Sequence, residues 1–533
     1  MLYFRHSPTR LHMAFSLLQT TLSMPDSPQT LALKVAIALQ ALIFVVVLLY
    51  AIHFARRKFS SRPPGPLGLP LVGNVFDLQG SREAEGIAAL GKKYGDVVYL
   101  EVFGQPLLML NSQAAMDLLD KRGALYSDRP HLPMAADFSG MGDLTPIMRY
   151  GEKFQFGRRL MNQALSTRAV SKWEGGIADE SHELLRLLYN DPKRFVPHLN
   201  KMAGSMVMMS MYGHRVESDD DPYVELAIEF MEASTNAITG RWIVDFFPFA
   251  KYIPGLAFRK QAAKWKARIP DWVDKAFDSF KENMHTSDDA KNSLCGSLMI
   301  RPDGAPVDAE TENRVKWIAT SGFGAGLDVM VAVLCQFMMA MALHPKVQAQ
   351  AQKEIDEVIG RERLPEFQDR ELLPFMECVF KESLRWGTPA PLSVPHRLIQ
   401  DDVYNNFFFP AGTLCIGNIW GILHDENLYR DPEMFKPERF QGLDPKEAKR
   451  LDPTNYVYGF GRRRCPGNHF AHSAVWFSMV GLLSAFVISP DVDEKGNEIP
   501  IKVEFEPGAI RHTKPFRCRF TPRHSKVGEL LSL

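Results

Sequence analysis

The 533-residue chain reads as a mainly α-helical domain with small β-sheets behind a single N-terminal transmembrane helix, and three features predict this. Residues 35–55, VAIALQALIFVVVLLYAIHFA, form 21 positions without a formal charge. From about Ile87 to Leu343 apolar residues recur at three- and four-residue spacing with breaks at Pro or Gly, the pattern of successive amphipathic helices. Strand-like runs are short: Val97 to Val102, Leu107 to Asn111, Asn406 to Phe409 ahead of a Pro410 to Gly412 turn, and Cys518 to Thr521.

The uncharged run is about 31 Å long as a helix, enough to cross a bilayer core. A cleaved signal peptide fits less well, because no small-residue cleavage site follows; instead come Arg56, Arg57, Lys58 and Arg62. Only Lys34 stands close on the other side, so the positive-inside rule puts the C-terminal bulk in the cytosol. The expectation is a single-pass protein of the endoplasmic reticulum membrane in contact with its lipid. Residues 1–34 are a short leader of uncertain start: Arg5 and Arg10 precede the first acid, Asp26, in the manner of a mitochondrial presequence, but Met13 or Met24 as the start gives the preferred luminal leader. Residues 56–74 are a basic, Pro-rich linker, stiffened by Pro63, Pro64, Pro66 and Pro70. Residues 75–533 form the remaining domain.

With 46% hydrophobic and 23% charged residues, the chain can bury a large core. Lys+Arg 62 balances Asp+Glu 62, which argues against nucleic acid as a partner. The six cysteines lie far apart with no CxxC pair, against a zinc site or a disulfide scaffold and in keeping with a reducing, cytosol-facing domain.

One cysteine stands in a chemically specific setting. Around Cys465 the sequence runs Tyr458-Gly-Phe-Gly-Arg-Arg-Arg-Cys-Pro-Gly467, ahead of the apolar stretch NHFAHSAVWFSMVGLLSAF. Pro466 suits a first helical turn, which would put Cys465 at a helix N-terminus where free N–H groups favour a thiolate. Glycines at 459, 461 and 467 admit a flat cofactor close to the backbone, and three arginines supply cations for acidic groups on it and lower the thiol pKa. Taken alone, a cysteine is more often a small buried hydrophobe.

This loop resembles the haem-binding signature of the cytochrome P-450 family, with Gly461, Arg463, Cys465 and Gly467 in place and Tyr458 where Phe is usual. Upstream, Glu382 and Arg385 stand three apart in a helical stretch; as a bare pattern this is an ordinary exposed ion pair. About fifty residues later Phe435-Lys-Pro-Glu-Arg-Phe440 resembles the family segment whose arginine, here Arg439, completes a Glu-Arg-Arg cluster that locks the fold behind the haem. The resemblance further implies that Arg463, His396, Arg158 and Arg129 hold the haem propionates. Phe154 stands where the family usually has Trp, four residues before Arg158.

The stretch from about Arg314 to Leu343 is apolar on nearly all sides, as a buried central helix is. Its glycines 322, 324 and 326 each cost about 1 kcal/mol against Ala inside a helix. A phosphate-binding loop would explain them only with a preceding strand and GxGxxG spacing, both missing. Close approach of a cofactor and dioxygen accounts for them better. The segment resembles the family's oxygen-activating motif, with Ala325, Gly326 and Asp328 present, but Val329 replaces the threonine and can neither donate nor accept a hydrogen bond.

The resemblance, from about Pro63 to Arg523, implies a cytochrome P-450 fold in which Cys465 is the metal ligand and thiolate axial ligand of haem b. It implies a monooxygenase that uses O2 and electrons from NADPH through a separate cytochrome P-450 reductase, with cytochrome b5 as a second donor. The substrate would be a hydrophobic small molecule, hydroxylated or epoxidised. Residues 395–404 and 518–523 are similar to fungal enzymes of secondary metabolism of the O-methylsterigmatocystin oxidoreductase kind, which implies a terpenoid, polyketide or alkaloid substrate. By position the pocket would be lined by Phe138 to Leu144, Phe323, Leu327, Pro389 to Val394 and Gly508 to Ile510. Val329 keeps open an isomerase, dehydratase or peroxygenase, or a non-catalytic membrane haem protein.

Overall fold

The longer apolar-periodic runs form helices α1 (Glu83–Tyr94), α2 (Glu152–Ala164), α3 (Glu174–Asn190), α4 (Phe195–Tyr212), α5 (Pro222–Thr239), α6 (Ala257–Ile269), α7 (Ala309–Leu343), α8 (Pro345–Val358), α9 (Pro374–Gly387) and α10 (Asn468–Ala485). The structure is a computed structural model and describes residues 61–78 and 83–532 apart from 217, 219, 220, 240 and 241, with a few positions between 31 and 44. Most of the leader and most of the 35–55 span fall outside these residues.

Helix α7 organises the rest. Asp308 caps it by accepting from Thr311 N at 2.9 Å, and Glu310 and Glu312 in its first turn complement the helix dipole. At 35 residues it is about 52 Å long. It packs against α4, α5, α9 and α10, so its apolar circumference is covered nearly all round. Among the described residues it is the helix long and apolar enough to cross a membrane, yet 78% of its most apolar window is buried in protein. It is therefore a core helix.

The sheets lie to one side. Strands β1 (Val97–Val102), β2 (Gln105–Leu110), β6 (Leu414–Gly417) and β3 (His396–Arg397) form one sheet in the order β1-β2-β6-β3. β1 and β2 make a hairpin with Val97 opposite Leu110, β6 joins β2 in parallel with Leu107 opposite Leu414, and β3 lies antiparallel to β6. The ribbons β4 (Asp402–Tyr404) with β5 (Phe407–Phe409), and β7 (Phe486–Pro490) with β8 (Cys518–Pro522), complete the strands.

Candidate active site

The segment between 457 and α10 is built by backbone pairing. Cys465 N donates to Tyr458 O at 2.7 Å, closing the loop on the aromatic residue that replaces Phe. Gly461 is held at φ +51° by Asp120, whose Oδ1 accepts its N–H at 2.8 Å, and a Cβ there would lie 2.4 Å from Leu119 O. That position admits only glycine. Helix α10 begins at Asn468 with Gly467 as its N-cap, so Pro466 occupies the turn before the helix and not its first turn.

Five cysteines are buried, whereas Cys465 presents accessible surface. Protein nonetheless crowds it enough for burial to raise its thiol pKa, so that surface faces an interior space. This corrects the expectation of a thiol lowered by its surroundings. The Gly467 N–H and the charges of Arg158 and Arg464 act in the expected direction, but desolvation outweighs them.

Helix α7 has a matching opening. Ala325 is exposed and Ser321, Gly322, Gly326, Asp328 and Val329 are half-buried, whereas Phe323, Gly324, Leu327 and Met330 between them are buried. Phe323 and Leu327 point elsewhere: Phe323 meets the Tyr212 ring at 6.0 Å, and Leu327 packs against α4 beside Gly204. They are core, not pocket lining. The three glycines also differ from expectation. Cβ atoms at 322, 324 and 326 would meet Met211 at 2.8 Å, Met231 at 2.6 Å and Val207 at 3.0 Å. Their first effect is to let α4 and α5 lie close, rather than to admit a cofactor at those positions.

Basic residues gather beside the loop. Arg129 and His396 are buried; Arg129 donates to Pro146 O, Val394 O and Pro395 O, and His396 Nδ1 pairs with Tyr126 O at 2.7 Å. Arg463 donates to Ser127 O and Met148 O, each at 2.7 Å, and its guanidinium lies 3.6 Å over the Phe154 ring, so the aromatic at the usual Trp position supports this arginine. Burial pushes Arg463 down to about 10, and burial together with Arg129 and Arg463 pushes His396 well below its ordinary range. Asp128 is the acid in this group, and Arg149 and Arg397 already neutralise it at 2.6 and 3.2 Å. Arg158, half-buried on α2 with no hydrogen-bond partner among the described residues, is pushed below its ordinary range by burial, which outweighs the opposing effect of nearby Cys465.

Behind the loop, Glu382 and Arg385 are wholly buried. Glu382 accepts from Arg385 at 2.7 and 2.9 Å, from Arg439 Nε at 3.1 and 3.2 Å, and from Lys436 N at 2.7 Å. The arginines spend further donors on Leu423 O, Met434 O and Arg430 O.

A cavity of about 1350 Å³ adjoins Arg129. Ala390 to Val394 and Gly508 to Ile510 line it as expected, whereas Pro389 and Phe138 to Leu144 do not; Leu132 and Ile147 take the latter's place. A residue without any sequence signal completes the picture. His512 Nε2 lies 2.9 Å from Asp328 Oδ1.

A family model described as cytochrome P-450 matches residues 63–520. The chain belongs to the cytochrome P-450 family. Among curated proteins it is 50% identical to cytochrome P-450 monooxygenase claT of Ampulloclitocybe clavipes, covering 93% of this chain and 98% of that protein. It is 36% identical to cytochrome P-450 monooxygenase 105 of Postia placenta over 93% of this chain and 96% of that one, and 36% identical to claR of Ampulloclitocybe clavipes over 92% of each. These are fungal proteins, and the chain is accordingly an oxidoreductase of the fungal cytochrome P-450 monooxygenase kind, with haem and O2 as the family's cofactor and oxidant.

The residues of this cytochrome P-450 fit haem. Buried Arg129 and half-buried Arg463 and Arg158, which repel one another beside His396 and whose neighbouring acid Asp128 is already neutralised, suit the two carboxylates of the porphyrin. An accessible cysteine on an interior space suits an iron ligand, whose coordination would reverse the burial effect and hold the thiol deprotonated.

Proposed function

We propose that Cys465 is the axial thiolate ligand and metal ligand of haem b in a membrane-anchored monooxygenase that hydroxylates or epoxidises a hydrophobic small molecule of fungal secondary metabolism. The carrying observation is that Cys465, alone among the six cysteines, opens onto interior space beside a buried cation cluster. Arg463, His396, Arg158 and Arg129 hold the propionates, and Gly461 and Gly467 shape the loop. Bound haem supplies the activation of dioxygen. The chain's own groups do the rest: Ala325 keeps the open face of α7 low, Gly326 lets Val207 of α4 pack against the helix, Asp328 holds and moves a proton at its carboxylate, and the 1350 Å³ cavity accommodates an apolar substrate away from water.

Electrons come from NADPH through a separate reductase, with cytochrome b5 as a second donor. Val329, which has no hydroxyl, favours a second reading in which the same haem works as a peroxygenase, isomerase or dehydratase. Dioxygen uptake by the reconstituted chain separates them. We expect uptake only with NADPH and reductase together; product formation from peroxide or without any reductant, at unchanged dioxygen, supports the second reading instead.

The anchor reading gains support from a surface apart from residues 35–55. Leu71 and Tyr252 are each 76% exposed, beside exposed Leu67, Leu69, Phe76, Ile243 and Phe249. Phe103 joins the two segments through ring contacts with Phe246 and Phe247 at 5.4 and 4.9 Å. This face suits lipid. Deletion of residues 1–55 leaves a protein that still sediments with vesicles, and adding Phe249→Glu and Tyr252→Glu weakens that partition by about tenfold or more, since each ring buries on the order of 1.5–3 kcal/mol. Unchanged sedimentation would remove the patch from the reading.

A further inference from the structure

The Asp328–His512 pair lies where the family motif leaves its gap. Asp328 stands on the open stripe of α7 directly before Val329, and the helix offers no spare hydroxyl nearby. Thr320 donates to Lys316 O at 3.0 Å and Ser321 to Trp317 O at 2.7 Å. His512 belongs to the irregular C-terminal segment that continues from the cavity-lining residues 508–511. Backbone pairing fixes that segment on both sides of the imidazole: Arg511 N donates to Pro389 O and Glu506 N to His512 O, each at 2.8 Å, and Lys514 N to Glu504 O at 2.9 Å. The ring is thus delivered to Asp328 by the chain path, and neither side chain is sealed, with 35% of His512 and 30% of Asp328 accessible.

We propose that His512 is a positioning residue that orients Asp328 and recharges it with protons from the solvent side, in place of the hydroxyl missing at Val329. The inference rests on the reading above in which Asp328 carries protons. In the step, the Nε2–H bond of the imidazolium breaks as an Oδ1–H bond forms on Asp328, leaving neutral imidazole and a carboxylic acid. Asp328 then releases this proton toward the interior, and water reprotonates the ring. No electrons move.

The surroundings favour the charged form of His512. The hydrogen bond to Asp328, then its charge, raise the imidazole pKa against the opposing effect of burial. The other charged side chains of the segment are occupied among themselves or nearby, Arg511 with Glu85 at 2.9 Å and Lys514 with Glu504 at 3.1 Å, with Glu506 on the cavity wall. From α4 and α5 the neighbours of α7 here are the apolar Val207, Met211, Phe230 and Met231. A raised imidazole pKa means that the ring keeps its proton to higher pH and loses it as pH rises through that value. Proton supply therefore fails on the alkaline side.

The test uses the full haem-loaded chain in lipid vesicles with carbon-13-labelled histidine. One imidazole resonance, absent from His512→Gln, is expected to titrate above the ordinary range in the wild type and to return to it in Asp328→Asn. Identical titration in both proteins overturns the proposal. With NADPH and reductase, dioxygen uptake should fall about fivefold in His512→Gln, less than the 10²–10⁴ of a direct proton donor, and lose the alkaline decline of its pH profile. His512→Arg decides between a clamp and a proton route, because a permanent cation holds Asp328 but cannot hand over a proton. Wild-type uptake in this variant overturns the proposal. If Asp328→Asn slows uptake while both His512 variants do not, this inference fails and the proton role of Asp328 stands; if Asp328→Asn changes nothing, both fall.

Discussion

Cys465→His abolishes the red-shifted Soret band of the reduced, carbon monoxide-bound protein while leaving haem in place. The two halves of this expectation have different physical origins. Haem retention rests on Arg129, His396, Arg463 and Arg158, none of which the substitution touches, and on the apolar interior around the loop. The position of the band rests on the sulfur, because a thiolate pushes electron density onto the iron in a way that imidazole does not. NADPH-driven turnover should fall on the order of a thousandfold, about 4 kcal/mol of transition-state stabilisation. Cys465→Ala should behave likewise. Substituting Cys335 or Cys415 by Ser tests the assignment from the other side. Both are buried, and burial pushes their thiols up, to about 12 for Cys335. They present no surface to a cofactor, so the band must survive. A thiolate-type band persisting in Cys465→Ala would remove the ligand from this loop.

How much of the site could be read from the chain depended on whether its parts are local. The span Val97 to Val102 matches β1 to the residue, and α7 was legible from Arg314 onward, starting earlier only because Asp308 caps it. The four-residue β6 left no trace, since its parallel pairing with β2 reaches across three hundred residues and Leu-Cys-Ile-Gly has no alternation to mark it. Gly461 was visible as a glycine at a fixed offset, but its reason, the carbonyl of Leu119, was not. Nor did the glycines of α7 announce that methionines of α4 and α5 sit against them. His512 illustrates the limit best. It lies in no motif, and only the return of the C-terminal segment across the cavity brings it to Asp328.

The ion pair at Glu382 shows the same limit with energetic consequences. Three segments of the chain share Glu-x-x-Arg spacing and form the pair at 2.7 Å: Glu183 with Arg186, Glu447 with Arg450, and Glu382 with Arg385. Sequence and distance do not distinguish them; burial does. The first two are largely solvated, where such pairs contribute little. The third is fully buried, and truncation of Glu382 leaves Arg385 an uncompensated charge in the interior, at a cost of about 3–5 kcal/mol. It also strands Arg439 Nε and the Lys436 N–H. Against a total stability of about 5–15 kcal/mol, that loss is decisive. Glu382→Ala should therefore yield mostly haem-free, aggregated chain, measured as carbon monoxide-reactive haem per protein, whereas Glu447→Ala should leave the yield unchanged. Replacing Glu382 and Arg385 together by apolar residues, which rescues many buried pairs, should fail here. The carbonyl of Leu423 would lose its donor, and Arg439 its carboxylate. A double variant with wild-type haem content would show that the cluster contributes no more than packing volume.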